Sequence, residues 1–394
     1  MNQADRWLLP DGIEELLPPQ AAQLESLRRT TLDTFSHWGY ELVIPPQLEY
    51  LESLLTGVGH DLELRTFKVT DQLTGRMMGV SADITPQVAR IDAHSWPKEG
   101  VSRLSYCGPV LHTRAKSLLS SRTPMQIGAE LYGESGPAAD IEVLSLLIES
   151  LQAAGLKNIH LDLGHVGIYK ALVEAANLNA DVEAGLFETL STKSVTEYAL
   201  LIEENVSDSK LKAAFISLMD MNGDTSVLDQ AQALSDVADI AAPLANLKTI
   251  CCAIKARYPE VDVFLDIAEL RGFDYHTGVV FGAYVQGHGQ AVAQGGRYDE
   301  TGAVFGRARP ATGFSADLRQ ICRLAPAQTS SKDSIFAPTF AEAEPDESLL
   351  QQVRTLRAEG KRVICALSSE DTPAALGCSS ALVAKDGQWV VETV

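Results

Sequence analysis

The sequence lacks the marks of a membrane-spanning or secreted protein. No apolar run approaches the ~18–20 residues that a membrane helix needs. The N-terminal stretch MNQADRWLLPDG has neither the basic start nor the apolar centre of a signal peptide. Cysteine pairs with C-x-x-C spacing are also missing, so we expect neither a zinc site nor a disulfide framework, and a cytoplasmic location is the natural interpretation. The cysteines are Cys107, Cys251, Cys252, Cys322, Cys365 and Cys378.

Basic residues are also in short supply. Lys and Arg number 32 against 52 Asp and Glu, which gives a formal net charge of −20. Broad binding to nucleic acid depends on Lys and Arg that displace counterions from phosphates, so this balance disfavours it. Aromatic residues make up only 6%, but hydrophobic residues reach 45% of the 394 residues, which is enough for a sizeable core. A chain of this length is expected to form two or three domains.

Residues 1–324 carry the signals of a large α+β domain. The first helix is predicted to begin after Pro18-Pro19 and to end at Gly39, since proline favours helix starts and glycine favours helix ends. A buried strand is predicted next, over residues 40–44. Further helices are predicted over 84–93, 137–154 and 315–324, and further strands over 66–70, 76–81, 103–113, 123–132, 261–269, 279–284 and 291–294, with a Gly-Gly turn at 295–296.

Two stretches differ from this pattern. Residues 165–257 are rich in Ala and Leu at helical spacing, which predicts a helical insertion. Residues 325–333 are short and polar, as in a linker. The remaining residues, 334–394, predict a small α/β domain with a strand, a helix, a second strand and a final hairpin around Asp386-Gly387.

Three segments resemble the histidyl-tRNA synthetases, which are class II aminoacyl-tRNA synthetases. WGYELVIPPQLEY, residues 38–50, resembles motif 1 of that class, which usually forms the dimer interface. RGFDYHTGVVF, residues 271–281, resembles the histidine-specific motif, and GGRYD, residues 295–299, matches a nearby glycine-rich segment. The resemblance covers residues 8–323. It implies an antiparallel sheet flanked by helices, with the insertion and the small C-terminal domain added.

The segments that handle ATP in the synthetases depart from their pattern here. In GPVLHTRAK the motif 2 arginine falls on His112 and the glutamate falls on Arg114. In GFSADLRQ the motif 3 glycine falls on Asp317 and the final arginine falls on Gln320. Arginine grips phosphate oxygens with a fixed, charged fork. The loss of two arginines and the gain of a carboxylate therefore weigh strongly against formation of an adenylate.

By the same resemblance, the histidine pocket is better retained. GVSADITP matches the segment that binds the substrate α-ammonium, with a carboxylate one methylene shorter. MQIGAELYG and the Tyr-His pair at 275–276 match residues around the histidine side chain. The arginine that opens the RGFDYHTG run matches one that serves substrate and reaction, and alone it suits a carboxylate. The implied histidine-binding residues are Asp83, Thr85, Gln126, Glu130, Arg271, Tyr275 and His276.

A synthetase-like body with broken motifs 2 and 3 resembles the regulatory subunits of ATP phosphoribosyltransferase, and DLGHVGIYKALVEAANL, residues 162–178, resembles a second segment of that family. The resemblance implies a non-catalytic protein that activates a short-form catalytic subunit in a hetero-octamer, at the first step of histidine biosynthesis. It also implies L-histidine as the feedback effector and self-association through the motif 1-like region. No cofactor, nucleic acid or membrane partner is implied.

Other interpretations stay open from the sequence. A divergent histidyl-tRNA synthetase or a histidine-adenylating enzyme would use the retained Arg271. A pseudo-synthetase that senses tRNA would need a basic surface, which the net charge and the short C-terminal domain disfavour. Asp83 and Thr85 also suit a helix cap, and Arg271 a structural ion pair. Gln126 and Glu130 also suit the polar face of a strand.

Overall fold

The chain divides into two compact units, Met1–Pro326 and Ala327–Val394. The computed structural model describes residues 7–57, 59–115, 121–236, 238–270, 275–326, 333–339 and 346–394. These ranges include all six cysteines, which are free thiols. Within the same ranges, no helix is long and apolar enough to cross a membrane.

The helices of the first unit are α1 (Gln20–His37), α2 (Leu51–Leu54), α3 (His60–Arg65), α4 (Thr85–Arg90), α5 (Pro137–Ala153), α6 (Val166–Ala176), α7 (Ala180–Ser191), α8 (Val195–Asn205), α9 (Ser209–Leu218), α10 (Val227–Ala231), α11 (Ala241–Arg257) and α12 (Leu318–Leu324). A π-helical segment, Ile91–Ser95, continues α4. The strands are β1 (Glu41–Leu42), β2 (Leu48–Tyr50), β3 (Lys68–Thr70), β4 (Met77–Val80), β5 (Ser102–Pro109), β6 (Met125–Tyr132), β7 (Ile159–His165), β8 (Asn222–Gly223), β9 (Asp262–Asp266), β10 (Val279–Val285), β11 (Ala293–Arg297) and β12 (Ala311–Asp317).

One large sheet organises the first unit. In the described part of the chain it has nine strands in the order β1-β5-β6-β12-β11-β10-β7-β9-β8. The pairs from β5 to β7 are all antiparallel, while β1 and β9 join the sheet in parallel. A separate three-stranded sheet, β2-β4-β3, contains the predicted hairpin of residues 66–81. The predicted α+β class, with an antiparallel sheet flanked by helices, is confirmed.

Helix α5 shows why helices cover one face of this sheet. Its central residues are mostly apolar, and Val143, Leu144, Leu146 and Ile148 have no exposed side-chain surface. A helix that is apolar over most of its surface must be covered on several sides, and α5 contacts α1, α11 and strand β12. Each such side chain contributes about 1.5–3 kcal/mol on burial, so α5 is a large contributor to the main core.

The prediction of a turn at Gly295-Gly296 is wrong. Both glycines lie inside β11, where Gly295 pairs with Phe281 of β10 and with Phe314 of β12. A Cβ on Gly295 would lie 2.1 Å from the carbonyl oxygen of Gly313 and 2.7 Å from the Phe281 ring. Glycine is needed at both positions because backbone atoms of neighbouring strands and aromatic rings approach these residues closely and leave no room for a side chain. This is a recognised use of glycine within a strand.

Two further local predictions need correction. The segment 40–44 is not a buried strand, because β1 is the edge of the sheet and Ile44 is 82% exposed. The helix predicted from residue 315 begins only at Leu318, because Ser315 to Asp317 continue β12. Asp317 ends that strand, and its carboxylate accepts a hydrogen bond from the amide of Arg319 at 3.0 Å, which is typical of a helix N-cap.

The region predicted as a helical insertion consists mainly of α6 to α11. Tyr169 of α6 meets Phe215 of α9 edge to face, with ring centroids 6.4 Å apart. The hydroxyl of Tyr198 donates to the carbonyl of Phe215 at 3.0 Å, and Leu186 completes this fully buried cluster. In the described residues of this region, β8 is the one strand.

The second unit is a small α/β fold. Its elements are β13 (Ser334–Ala337), α13 (Glu347–Ala358), β14 (Arg362–Cys365), β15 (Ser380–Lys385) and β16 (Gln388–Thr393), with sheet order β14-β13-β15-β16. Asp346 caps α13 by accepting from the amides of Ser348 and Leu349. Asp386 and Gly387 both adopt positive φ, as expected for the two-residue turn of a hairpin.

Candidate functional site

A cleft of about 390 Å³ lies in the first unit, over one end of β6, β11 and β12. Its walls come from several elements that are distant in sequence: the loop before α4, the end of α3, the segment after β5 and the loop between β10 and β11. The structure brings together here five of the residues singled out from the sequence. They are Asp83, His112, Gln126, Asp317 and Gln320.

Asp83 is held in place by its neighbours. Its Oδ1 accepts hydrogen bonds from the Gln126 side-chain amide at 2.8 Å and from the backbone amide of Thr85 at 3.0 Å. Gln126 in turn accepts from the amide of Ile84 at 2.8 Å, which fixes both side chains to the start of α4. Among the described residues, no donor is placed on Oδ2 of Asp83. A carboxylate oxygen in a polar cleft is suited to an ammonium group.

Thr85 connects this cleft to a buried carboxyl. Its hydroxyl lies 2.9 Å from the Tyr106 hydroxyl, and Tyr106 donates to Oε1 of Glu130 at 3.2 Å. Tyr298 donates to the other oxygen of Glu130. Glu130 is only 1% exposed and does not line the cleft. It is therefore buried below the cleft, and its carboxyl is bonded to two tyrosine hydroxyls.

Burial, together with the nearby Asp83 carboxylate, raises the pKa of Glu130 to about 8, although the hydrogen bonds from Tyr298 and Tyr106 lower it. Two glycines make room for this arrangement. A Cβ on Gly313 would lie 1.6 Å from Oε2 of Glu130, and one on Gly128 would lie 2.4 Å from the Tyr106 hydroxyl. Replacement of either glycine would displace the carboxyl or the tyrosine.

We predict that Glu130→Gln flattens the dependence of stability on pH. The carboxyl holds its proton in the folded protein up to a pKa of about 8, against 4.5 for the ordinary group. The folded state thus binds more protons between these values, so the contribution of Glu130 to stability is full below 4.5 and is lost as pH rises through 8. The unfolding free energies of both proteins, measured in urea at pH about 5 and about 8, check this. A constant difference between wild type and variant would contradict it.

Tyr275 and His276 lie on the buried side of the site. The Tyr275 ring stacks on Tyr298 with centroids 4.8 Å apart, and it meets His276 edge to face at 5.3 Å. Neither lines the cleft. Burial raises the pKa of Tyr275 well above its usual value, and the carboxyl of Glu130 adds to that effect. Arg271 lies outside the described residues.

The positions that correspond to ATP-handling residues have other partners here. His112 Nε2 lies 2.9 Å from the carbonyl oxygen of Ala82, next to Asp83. Asp317 accepts from the amides of Met125, at 3.1 Å, and Arg319. Gln320 contacts the His288 ring nitrogen at 2.5 Å and so joins α12 to the loop between β10 and β11. Arg114 is exposed and does not line the cleft.

These contacts decide what the cleft can accept. Among the described residues that line it, Arg65 is the one with a positively charged side chain. Asp83 and Asp317 each contribute a carboxyl group. A polyphosphate needs several positive charges around it, and the described lining residues supply one. No group of three or more His, Cys, Asp or Glu side chains in the described chain is placed to hold a metal ion.

The residues that sequence reasoning missed are Tyr106, Tyr298 and Arg65. Tyr298 belongs to the GGRYD segment, so its presence in the motif was visible but its bond to Glu130 was not. Tyr106 lies opposite Gly128 in the β5–β6 pair, and a glycine within a predicted strand is a signal of close approach. Arg65 belongs to none of the motifs identified in the sequence, so no sequence signal indicated it.

Comparison with known proteins extends these findings. The family described as Histidyl-tRNA synthetase matches residues 12–321, and the ATP phosphoribosyltransferase subunit HisZ C-terminal domain matches residues 332–392. An ATP phosphoribosyltransferase regulatory subunit of Ectopseudomonas mendocina is 52% identical over 99% of both chains. The chain belongs to the family of ATP phosphoribosyltransferase regulatory subunits. The resemblance inferred from the motifs is therefore confirmed.

Solved structures agree with the fold of these regulatory subunits. A regulatory subunit/histidyl-tRNA synthetase structure from Bacillus halodurans has a TM-score of 0.82 at 24% identity and covers 95% of this chain and 97% of its own. A chain from the ATP phosphoribosyl transferase (HisG:HisZ) complex of Thermotoga maritima has a TM-score of 0.57 at 17% identity, over 77% of this chain and 98% of its own. Both likenesses establish the synthetase-like fold.

Proposed function

We propose that this regulatory subunit has no catalytic activity of its own and senses free L-histidine in the cleft beside Asp83. The observation that carries the proposal is the contrast between two sets of residues in that cleft. The positions that would handle ATP bind structural partners instead, as His112 does with Ala82 and Gln320 with His288. The carboxylate suited to an ammonium group is kept and held by Gln126.

The partner we propose is a short-form catalytic subunit of ATP phosphoribosyltransferase, in a hetero-octamer. The family name and the Thermotoga maritima complex of HisG with HisZ support such a partner. We also propose self-association through the motif 1-like region. The exposed apolar side chains of Leu42 and Ile44, which are 50% and 82% exposed at the sheet edge, support a contact there. The cytoplasmic location expected from the sequence stays a prediction.

Feedback requires that histidine binds two states of the assembly with different affinity. A ligand shifts an equilibrium only by its differential affinity for the two states. The cleft is lined by α3, the loop before α4, β6, β12 and α12, so a ligand in it would contact several elements at once, which supports this proposal. We propose that histidine favours the arrangement in which the catalytic subunit is less active.

The test is the phosphoribosyltransferase rate of the catalytic subunit with and without this chain. We expect the rate to rise on mixing and to fall again as histidine is added, because the chain would hold the catalytic subunit in its active arrangement until histidine binds. Titration of histidine against the steady-state rate measures both effects. Tryptophan, which shares the α-amino acid groups but not the imidazole, is the control ligand. An unchanged rate together with separate elution of the two proteins would contradict the proposal.

A second prediction separates this function from adenylate chemistry. We expect no histidine-dependent exchange of pyrophosphate into ATP, because one Arg beside two Asp in the described lining does not balance a polyphosphate. An authentic histidyl-tRNA synthetase assayed in parallel controls for the reagents. Exchange above the level seen without histidine would support the synthetase alternative instead.

A further inference from the structure

Arg65 lies beside His112, the position that matches the motif 2 arginine of the synthetases. It ends α3 and lines the same cleft as Asp83 and His112. Its carbonyl accepts a hydrogen bond from the amide of Thr113 at 3.0 Å, and the Thr113 hydroxyl donates to the carbonyl of Leu64 at 2.7 Å. Thr66 and His112 form an antiparallel bridge. These three contacts hold the end of α3 against the segment that carries His112.

We propose that Arg65 binds the carboxylate of the ligand, while Asp83 binds its ammonium. Together they would make the cleft a site for a free, zwitterionic L-α-amino acid with an unblocked carboxylate. This inference rests on the proposed histidine function and deepens it, because it names the group that reads the carboxyl end of the ligand. The placement of α3 beside His112 is what suggests this role.

The charge balance of the cleft favours a carboxylate over a phosphate. A guanidinium carries five N–H donors in a planar fork, so it can grip the two oxygens of one carboxylate while it keeps contacts to the protein. Asp83 and Asp317 lie in the same lining and would repel a ligand with several negative charges. Arg65 and Asp83, as one positive and one negative group in the lining, match the two charges of an amino acid.

Loss of the carboxylate from the ligand should then weaken binding strongly. Histidinol and histidine methyl ester keep the ammonium and the imidazole but have no negative charge. Either compound would leave the guanidinium with a neutral partner, and a site built for a charged hydrogen bond discriminates strongly against a ligand that lacks it. We expect the wild-type protein to bind histidine about ten- to a hundredfold more tightly than either analogue.

The test is calorimetric titration of the full-length chain, alone and assembled with the catalytic subunit, with histidine and with both analogues. Arg65→Gln should weaken histidine binding about ten- to a hundredfold and leave the analogues nearly unaffected, so the preference disappears. Arg65→Lys keeps a charge and should restore part of the preference. Arg29→Gln is the matched control, since Arg29 is 72% exposed on α1 and pairs with Glu25. Arg271→Gln tests the rival arginine.

Each result decides between the possibilities. Loss of the preference in Arg65→Gln, with Arg29→Gln unchanged, supports the inference. An undiminished preference in Arg65→Gln, or loss of the preference only in Arg271→Gln, overturns the inference and leaves the histidine function standing. Absence of histidine binding by the wild-type chain, alone and assembled, overturns the proposed function and this inference with it. The unfolding midpoint of Arg65→Gln, compared with wild type, shows whether any loss comes from misfolding.

Discussion

Asp83→Asn is expected to weaken histidine binding by about thirty- to a hundredfold and to remove inhibition by histidine, while activation of the catalytic subunit persists. The substitution keeps the shape of the side chain but replaces a carboxylate with an amide. A hydrogen bond to a charged group contributes about 1.5–3 kcal/mol, and the amide gives the ligand ammonium no opposite charge. Calorimetry of the assembled enzyme and the histidine dependence of its rate measure the two effects.

Two variants make this prediction specific. Asp229→Asn makes the same chemical change at an exposed position of α10 and should leave the histidine affinity unchanged. Asp83→Glu lengthens the carboxylate to the residue that the synthetases use at this point and should retain binding within about tenfold, because the charge is kept. Full histidine affinity in Asp83→Asn would show that the ligand ammonium binds elsewhere.

Gly295→Ala is expected to destabilise the first unit by about 3 kcal/mol or more, or to prevent its folding. The added methyl group would lie 2.1 Å from the carbonyl oxygen of Gly313 and 2.7 Å from the Phe281 ring. Backbone of a central strand cannot give way as a flexible side chain can, so the cost reaches or exceeds the usual range for an overpacked core. The free energy of unfolding in urea, read from a probe in the first unit, measures it.

The same substitution at Gly289 is the matched control for this prediction. A Cβ there would have no neighbour within 4 Å, and the φ of the residue lies outside the left-handed region. Gly289→Ala should therefore change the unfolding free energy by less than about 1 kcal/mol, and the smaller entropy of the unfolded chain makes a slight gain possible. Equal effects of the two substitutions would contradict the tight packing around Gly295 and support the predicted turn at Gly295-Gly296.

The sequence predicted some residues of the candidate site and their neighbours better than others. Asp83 and Gln126 were predicted from the synthetase-like segments, and the structure brings them within 2.8 Å of each other. A role of Glu130 in binding the ligand stays a prediction, and the structure adds that Glu130 is buried and bonds to Tyr106 and Tyr298. A motif names the residue but does not say which neighbours surround it.

The ATP-handling positions illustrate the same limit. The sequence already argued against adenylate formation, since His112 and Gln320 replaced arginines. It left open what the replacements do. The contacts of His112 with Ala82 and of Gln320 with His288 depend on loops that are 30 or more residues away along the chain. Such pairings arise from tertiary packing, so no local pattern predicts them.

The sequence by itself determined the α+β class, most element positions and the family. Periodicity of apolar residues and the placement of proline and glycine act over a few neighbouring residues, so the secondary structure that they favour can be predicted from the sequence. Only the tertiary structure decided that Gly295 lies in a central strand, that Glu130 is buried among tyrosines, and that Arg65 lies beside His112. These depend on close approach between distant segments, where the space left by one strand or helix sets what its neighbour can be.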